Sequence, residues 1–383
     1  MTTRRTARQA VILAIAAALV AGLAAAGATG TATATAATTA VWRRPPVRHV
    51  FVVNLENEGY GASFGPDSPA QYLSRTLRQK GQLLDNYYGT AHNSLPNYIA
   101  QISGQGPNPQ TQGDCPIYTN FQRVTTTADG QVVGNGCVFP ASVPTLANQL
   151  EGRHFTWKGY MQDIGNSTTE AKTCRHPAIG QVDDTQQARV GDQYAARHNP
   201  FVYFHAVIDS PSCAARVVGL ARLKTDLAAV STTPNLSYIT PNLCEDGHDA
   251  PCVDGRPGGL VSADAWLRVW IPRILASPAF QRDGMLVVTF DEAHIEGSDA
   301  DSSSCCGEGP GPNSPLPGIT GLGGGRVGAL VLSRWTVPGR VNATAYNHYS
   351  LLRSIDDLFA LEHLGYANAT GVRSFGRDVF DAT

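Results

Sequence analysis

The 383-residue chain has no block of basic residues, and its 29 Lys and Arg against 31 Asp and Glu leave a net charge of −2. This argues against a nucleic-acid backbone or an anionic membrane surface as the main partner, since both are held by clustered cations. No Cys-x-x-Cys pair occurs among the eight cysteines, so they do not read as a structural zinc site. The triple glycine Gly323 to Gly325 lacks the Lys-Ser/Thr ending of a phosphate-binding P-loop and reads as a flexible connection. No internal repeat is visible.

What is present begins with an export pattern. Arg4, Arg5 and Arg8 precede an apolar run from Ala10 to Ala26 and an Ala/Thr/Gly stretch with small-x-small cleavage positions. The run is Ala-rich, barely long enough to span a bilayer, and not followed by a basic stop-transfer cluster, so no stable membrane anchor is expected after cleavage. Residues 1–40 are assigned to a signal and processing region and 41–48 to a Pro- and Arg-containing linker; a secreted protein follows. Both general and twin-arginine export stay open. About 340 residues then remain, enough for one large domain. On an exported chain the cysteines read as disulfides. Pairing of sequence neighbours is the simplest scheme: Cys115 with Cys137, Cys174 with Cys213, Cys244 with Cys252, and adjacent Cys305 with Cys306, although spacing alone leaves the connectivity open.

Apolar runs from His49 to Leu55, Met285 to Phe290 and Val327 to Leu332 have the unbroken character of strands buried on both faces, and Leu236 to Thr240 reads as another strand. A shorter strand is expected from Gln82 to Tyr88. Helical spacing appears over 69–81, after Ser94 as far as Gly104, over 262–277 with Ser262 as N-cap, and from Asn347 to Leu361. The stretch from about 105 to 215 is rich in Gly, Asn, Gln and Thr, with shorter regular pieces near 144–151 and 155–160, and is expected to hold excursions over the active-site face. Strands alternating with helices imply an α/β fold: a doubly wound, mostly parallel sheet with helices on both faces, binding its ligand outside the carboxyl ends of the strands.

Two of those strands run straight into polar residues, Glu56-Asn57 and Asp291-Glu292. Brought to one rim, such carboxylates repel unless a cation or a proton intervenes, and a hard divalent metal held by oxygen ligands is an economical partner; acids that merely cap a following helix are the other reading. Ser94, in Ala91-His92-Asn93-Ser94-Leu95-Pro96-Asn97-Tyr98, falls at a helix start, where it is either an N-cap or a nucleophile favoured by a metal and the helix-end dipole. Asn97 either donates to a substrate oxygen or caps. The run Glu245-Asp246-Gly247-His248-Asp249 follows a strand, and Asn347-His348-Tyr349 heads the last helix; histidines so placed can bind an anion or protonate a leaving oxygen. His154, His198, His205 and His363 have no such neighbours and are not assigned.

Glu56-Asn57, His92-x-Ser94-x-Pro96-Asn97-Tyr98, Asp246-Gly247-His248-Asp249, Phe290-Asp291-Glu292 and Asn347-His348-Tyr349-Ser350, in that order, resemble the bacterial phosphoesterase family of secreted acid phosphatases and non-haemolytic phospholipases C. The resemblance covers about 48 to 365, and the short Ser-x-Pro-Asn-Tyr version is most similar to the mycobacterial secreted acid phosphatase branch. It implies an alkaline-phosphatase-like α/β domain over 49–383. It also implies a metal site of Glu56, Asn57, Ser94, Asp291 and Glu292 for a divalent ion, whether Ca, Mg, Mn or Zn, and substrate contacts from His92, Asn97, His248, Asp249 and His348. Ser94 would be the nucleophile, with His248 or His348 the acid, on a small phosphorylated substrate or a lipid headgroup. The monoester is favoured, with phospholipase C-type diester hydrolysis the alternative. The Cys305-Cys306 loop and the 105–215 stretch have no counterpart in the family pattern.

Two readings of other classes compete. Gly61-Ala62-Ser63-Phe64-Gly65 matches the Gly-x-Ser-x-Gly of serine esterases, but the strand ends near Leu55 and prolines follow, so Ser63 is expected in a loop. A calcium-stabilised binding module would explain the acids but leave His92, His248 and His348 without a purpose.

Overall fold

The computed structural model describes residues 42–381; the expected signal region lies outside them. Eight strands form the main sheet: β1 (His49–Leu55), β2 (Gln82–Leu84), β3 (Trp157–Met161), β4 (Val217–Gly219), β5 (Leu236–Thr240), β6 (Gly284–Phe290), β7 (Ala329–Ser333) and β8 (Val341–Asn342). Their order is β8-β2-β7-β6-β1-β5-β3-β4, and only β7 runs against its neighbours.

Every residue of β1 and of β6 is buried, as their unbroken apolar runs require. Removing each Val, Leu or Phe side chain from water stabilises the fold by roughly 1.5–3 kcal/mol. Side chains alternate between faces along a strand. Phe51 meets Phe280 of the helix Pro278–Asp283 with ring centroids 6.3 Å apart, while Asn54, on the opposite face, accepts a 3.0 Å hydrogen bond from Gln101 of α1 (Ser94–Ser103). Helices therefore cover both faces, as expected for a doubly wound sheet.

Departures from the expected elements have local causes. The single strand expected over 82–88 is divided: 82–84 joins the main sheet, and Tyr87–Tyr88 pairs with Tyr346–Asn347 in a separate ribbon. The helix α2 (Gly259–Leu275) begins before Ser262, whose hydroxyl instead accepts from the Gly258 amide at 3.0 Å within the first turn. Ser63 lies in the short helix Tyr60–Phe64 rather than a loop. The last long helix, α3 (His348–Phe359), is capped by Asn347, whose side chain accepts from the Ser350 amide at 2.9 Å. Within 105–215, residues 157–161 enter the main sheet as β3. All four disulfides join sequence neighbours in the simple scheme above. No helix among the described residues is long and apolar enough to cross a membrane.

One core position opposes stability at neutral pH. Asp356 on α3 is fully buried, and its pKa is pushed well above the usual carboxylate range by that burial and by neighbouring Asp357, against smaller opposite pulls from the Leu364 amide and Arg353. A raised folded pKa means that the unfolded chain releases this proton first, so stability falls as pH rises above the unfolded value near 4. Asp356→Asn is expected to melt at least about 2 °C above wild type at pH 8, with the difference vanishing toward pH 4. Thermal melts across that range check it, and a pH-independent difference would refute it.

Candidate functional site

The pairing of β1 with β6 sets Leu55 opposite Phe290, and both strands run the same way. Glu56 and Asp291, the next residue on each, therefore emerge side by side; the Asp291 amide donates to the Leu55 carbonyl at 2.9 Å. β5 lies on the other side of β1, also parallel, so the turn after it delivers Asp246 to the same rim. The Glu56 amide donates to the Asp246 carbonyl at 3.0 Å.

Ser94 opens α1, and its hydroxyl donates to Glu56 Oε2 at 2.8 Å, while the Tyr98 hydroxyl one turn later donates to Oε1. Asp114 Oδ1 accepts from the Leu95 amide at 2.9 Å and so satisfies the helix start from outside. The helix stops at Gly104, whose φ of +66° suits glycine. Asn57 sits at φ +52°, a left-handed conformation that asparagine tolerates, and its amide donates to Asp291 Oδ1 at 3.0 Å.

His198, unassigned from the sequence, stands between two of the acids. Its Nδ1 lies 3.1 Å from Asp246 Oδ2 and its Nε2 3.3 Å from Glu56 Oε2, with the Tyr98 ring stacked on it at 5.4 Å. Glu56, His198 and Asp246 are all buried, with ligand atoms within 4.8 Å of one another.

Such crowding is electrostatically adverse. Burial pushes the pKa of Glu56 well up, and Asp291 and Asp246 push it further. Asp246 is likewise raised by burial, and Asp291 is pushed up to about 8, chiefly by burial. His198 is driven well down by burial, then by Arg197 and His248, which leaves a neutral imidazole among acids.

Asn57 Oδ1, Asp291 Oδ2 and His198 Nε2 are buried with no hydrogen-bond partner. Together with Glu56 and Asp246 they form an oxygen-rich donor set with one imidazole nitrogen, and this chemistry fits a divalent cation. Glu292 departs from the expected set. Successive residues leaving an extended strand point opposite ways, so while Asp291 faces Glu56, Glu292 turns to a hydrogen bond with Nδ1 of buried His92. The other His92 nitrogen donates to the Asp301 carbonyl at 3.1 Å, so His92 does not face the acid cluster with a free nitrogen.

Other expected contacts are also engaged elsewhere. Asn97 accepts from the Thr90 and Ala91 amides and donates to the Ala91 and Asn93 carbonyls, all within 2.8–3.0 Å. Its amide braces the loop ahead of Ser94 and keeps no donor for a ligand. His348 donates from Nε2 to the Asp291 carbonyl at 2.6 Å, while Nδ1 faces the Tyr87 hydroxyl at 3.0 Å; burial lowers its pKa to about 4, against an opposite pull from that carbonyl. It holds the backbone of Asp291 and is not placed as an acid. Asp249 accepts from His248 Nδ1 at 2.8 Å and orients that ring rather than facing open space. His248 keeps 29 % of its side chain exposed, and its Nε2 accepts from Arg197 at 3.1 Å. Buried Arg197 also approaches Asp114 at 3.8 Å and so brings a positive charge to the rim.

The sequence signal for Asp246 was its place in the Glu-Asp-Gly-His-Asp run after β5. Arg197, His198 and Asp114 carried none: all three come from the irregular 105–215 stretch, where neither periodicity nor motif marks them.

Residues 66–362 match the model of the Phosphoesterase family, and the chain belongs to that family. Among individual proteins it is similar to an acid phosphatase of Aspergillus fumigatus, 25% identical over 82% of this chain and 55% of that protein. A phosphate-repressible acid phosphatase of Penicillium chrysogenum is 25% identical over 81% and 58%, and a phosphatidylinositol-3-phosphatase of Mycobacterium tuberculosis 25% over 84% and 80%. The chain spans little more than half the length of the fungal relatives. Among solved structures it is similar to an alkaline phosphatase superfamily protein from Vibrio parahaemolyticus, with TM-score 0.45 and 12% identity over 84% of this chain and 68% of that one.

Asp291→Asn tests the crowding. With a chelator present at pH 8, the variant is expected to melt at least about 2 °C above wild type, because an amide neither has to take up a proton on folding nor holds a buried charge among the other acids. Added Ca or Mn should then raise its Tm by less than that of wild type. A lower chelated Tm together with an undiminished cation response would overturn the grouping.

Proposed function

We propose that this chain is a secreted, metal-dependent phosphoesterase that hydrolyses phosphate monoesters through a phosphorylated Ser94. The observation that carries this reading is the Ser94 hydroxyl, held 2.8 Å from buried Glu56 at the N-terminus of a ten-residue helix. A hydroxyl donating to a carboxylate at a positive helix end is poised to pass its proton to that carboxylate as its oxygen attacks phosphorus. Relatives named acid phosphatase and phosphatidylinositol-3-phosphatase support the ester class. The disulfides and the signal-like residues 1–40 support export.

Glu56, Asn57, Asp246, Asp291 and His198 would hold the cation, which when bound supplies positive charge against the phosphoryl oxygens and lowers the pKa of the Ser94 hydroxyl. Arg197 adds a fixed charge for the same oxygens. Ser94 Oγ passes its proton to Glu56 and forms the new bond to phosphorus as the ester P–O bond breaks in line, and the departing alkoxide takes the Nε2 proton of the protonated His248 ring, the site histidine with solvent access, once that nitrogen turns from Arg197 to the leaving oxygen. Asp249 holds the other nitrogen of that ring. Water then cleaves the phosphoserine, releasing inorganic phosphate and restoring Ser94. The esterase alternative loses support because the Ser63 hydroxyl is spent on the Gly59 and Glu58 carbonyls at 3.0 and 3.3 Å.

Hydrolysis of a chromogenic phosphomonoester beside the matching phosphocholine diester, with and without a chelator, tests the reading. Monoester turnover should disappear on chelation and fall about 1,000-fold or more in Ser94→Ala, with Ser63→Ala near wild type. Turnover of the diester alone would move the chain to phospholipase C-type chemistry, and survival of activity in Ser94→Ala would end the phosphoserine mechanism. His248→Ala should slow esters of poor leaving groups by about 100-fold while sparing those of good ones. Equal loss on both would remove it as the acid.

A further inference from the structure

Asp114 closes the head of α1 from outside. Its Oδ1 accepts from the amide of Leu95, the residue after Ser94, at 2.9 Å, while Oδ2 faces Arg197 Nε at 3.8 Å, too far for a hydrogen bond. Neither side chain depends on the other for its place. The Gln186 side chain donates to the Asp114 carbonyl and the Gln186 carbonyl accepts from Arg197, both at 2.9 Å, and neighbouring Cys115 is bridged to Cys137. Arg197 also meets His248 at 3.1 Å. Asp114 keeps 17 % of its side chain exposed and Arg197 only 4 %. Burial raises the pKa of Asp114, against pulls from Arg197, the Leu95 amide and His248. Its charge reaches the rim of acids as well: after burial, Asp114 is the neighbouring charge that raises the pKa of Asp291.

Phosphate is recognised by the kinds of group that Asp114 already faces, an amide at the positive end of a helix and a guanidinium. A carboxylate beside the same donors offsets part of their charge, and in a site largely withdrawn from water it repels the negative charge of an incoming ligand. Capping alone does not require that charge. Ser, Thr or Asn satisfies the amides of a helix start while remaining neutral. The charge of Asp114 therefore acts on whatever anion Arg197 and the head of α1 receive.

We propose that Asp114 is a resident anion of the phosphate site, a specificity-determining residue that shares Arg197 and the head of α1 with the phosphoryl group and keeps inorganic phosphate weakly held. The role rests on the phosphoesterase reading. Its use lies at the end of the cycle, when water has released phosphate among the same donors that bound the ester, because a site that grips its product as tightly as those donors allow turns over slowly. Asp114 exerts this effect through its charge and through Arg197, without touching the reacting atoms.

Calorimetric titration of the full folded protein with inorganic phosphate at pH 8, in the cation that supports turnover, is expected to show about tenfold tighter binding in Asp114→Asn, whose amide oxygen still caps the Leu95 amide. Asp114→Ala, which loses the cap as well, should have a lower Tm and yet bind phosphate at least about threefold more tightly than wild type. The sign separates a charge from a structural prop, since damage to the head of α1 would weaken phosphate. With a chromogenic phosphomonoester, KM and the inhibition constant of phosphate should both fall about tenfold in Asp114→Asn while kcat does not rise. Unchanged or weakened phosphate binding in Asp114→Asn, with wild-type turnover intact, would overturn the role of Asp114 alone. A wild type that neither binds phosphate nor hydrolyses a phosphomonoester in any divalent cation would end the phosphoesterase reading and this role with it.

Discussion

Glu56 and Asp291 are locked together by the hydrogen-bonded register of β1 and β6, and neither can withdraw to water because the strands that carry them are buried throughout. Asp246 arrives from the parallel strand on the other side. A sheet that brings three carboxylates into one dry rim creates a standing electrostatic debt, visible in the raised pKa of each. Much of what surrounds the rim can be understood as compensation. Ser94 and Tyr98 donate to Glu56, the Asn57 amide donates to Asp291, and His198 is wedged between Glu56 and Asp246.

The compensation is incomplete in a telling way. Hydrogen bonds satisfy most of the rim, yet Asp291 Oδ2, Asn57 Oδ1 and His198 Nε2 remain buried without a hydrogen-bond partner. Buried polar atoms are normally paired, so a cluster of exceptions at the carboxyl ends of parallel strands calls for something that is not protein. The surrounding shell holds the donors rigidly: His348 fixes the Asp291 backbone from behind, and Asn97 knits the loop that presents Ser94. These residues reside in the family motifs but touch backbone. Their value is to position.

The exposed side of the site has a different character. His248, Asp249 and Arg197 form a chain from the solvent-facing rim inward, with Arg197 approaching Asp114 at the head of α1. Positive charge thus enters the site from the 105–215 stretch, whose disulfides Cys115–Cys137 and Cys174–Cys213 tie it down where regular structure is sparse. A loop pinned in this way can hold a charged side chain against carboxylates as steadily as a helix does.

Much of this was legible in one dimension because strands buried on both faces must be continuously apolar, and because a motif at the end of such a strand can only lie on the rim. The α/β class, the placement of Glu56 and Asp291, and Ser94 at a helix start all follow from that local logic. Local disulfide pairing also agreed with the simplest scheme. Which way a side chain turns after a strand ends is not local. Glu292, one residue from Asp291, faces His92 because alternation reverses its direction; Asn97 and His348 spend their polar atoms on backbone that only the folded chain brings near; and His198 reaches Glu56 across 142 residues of sequence with no periodic signal to mark it. The sequence by itself determined where charge would gather, since burial and strand pairing are written in its apolar runs. The tertiary structure alone decided which atoms were left over to meet a ligand, because a hydrogen bond depends on directions and distances of about 3 Å that residue spacing does not encode.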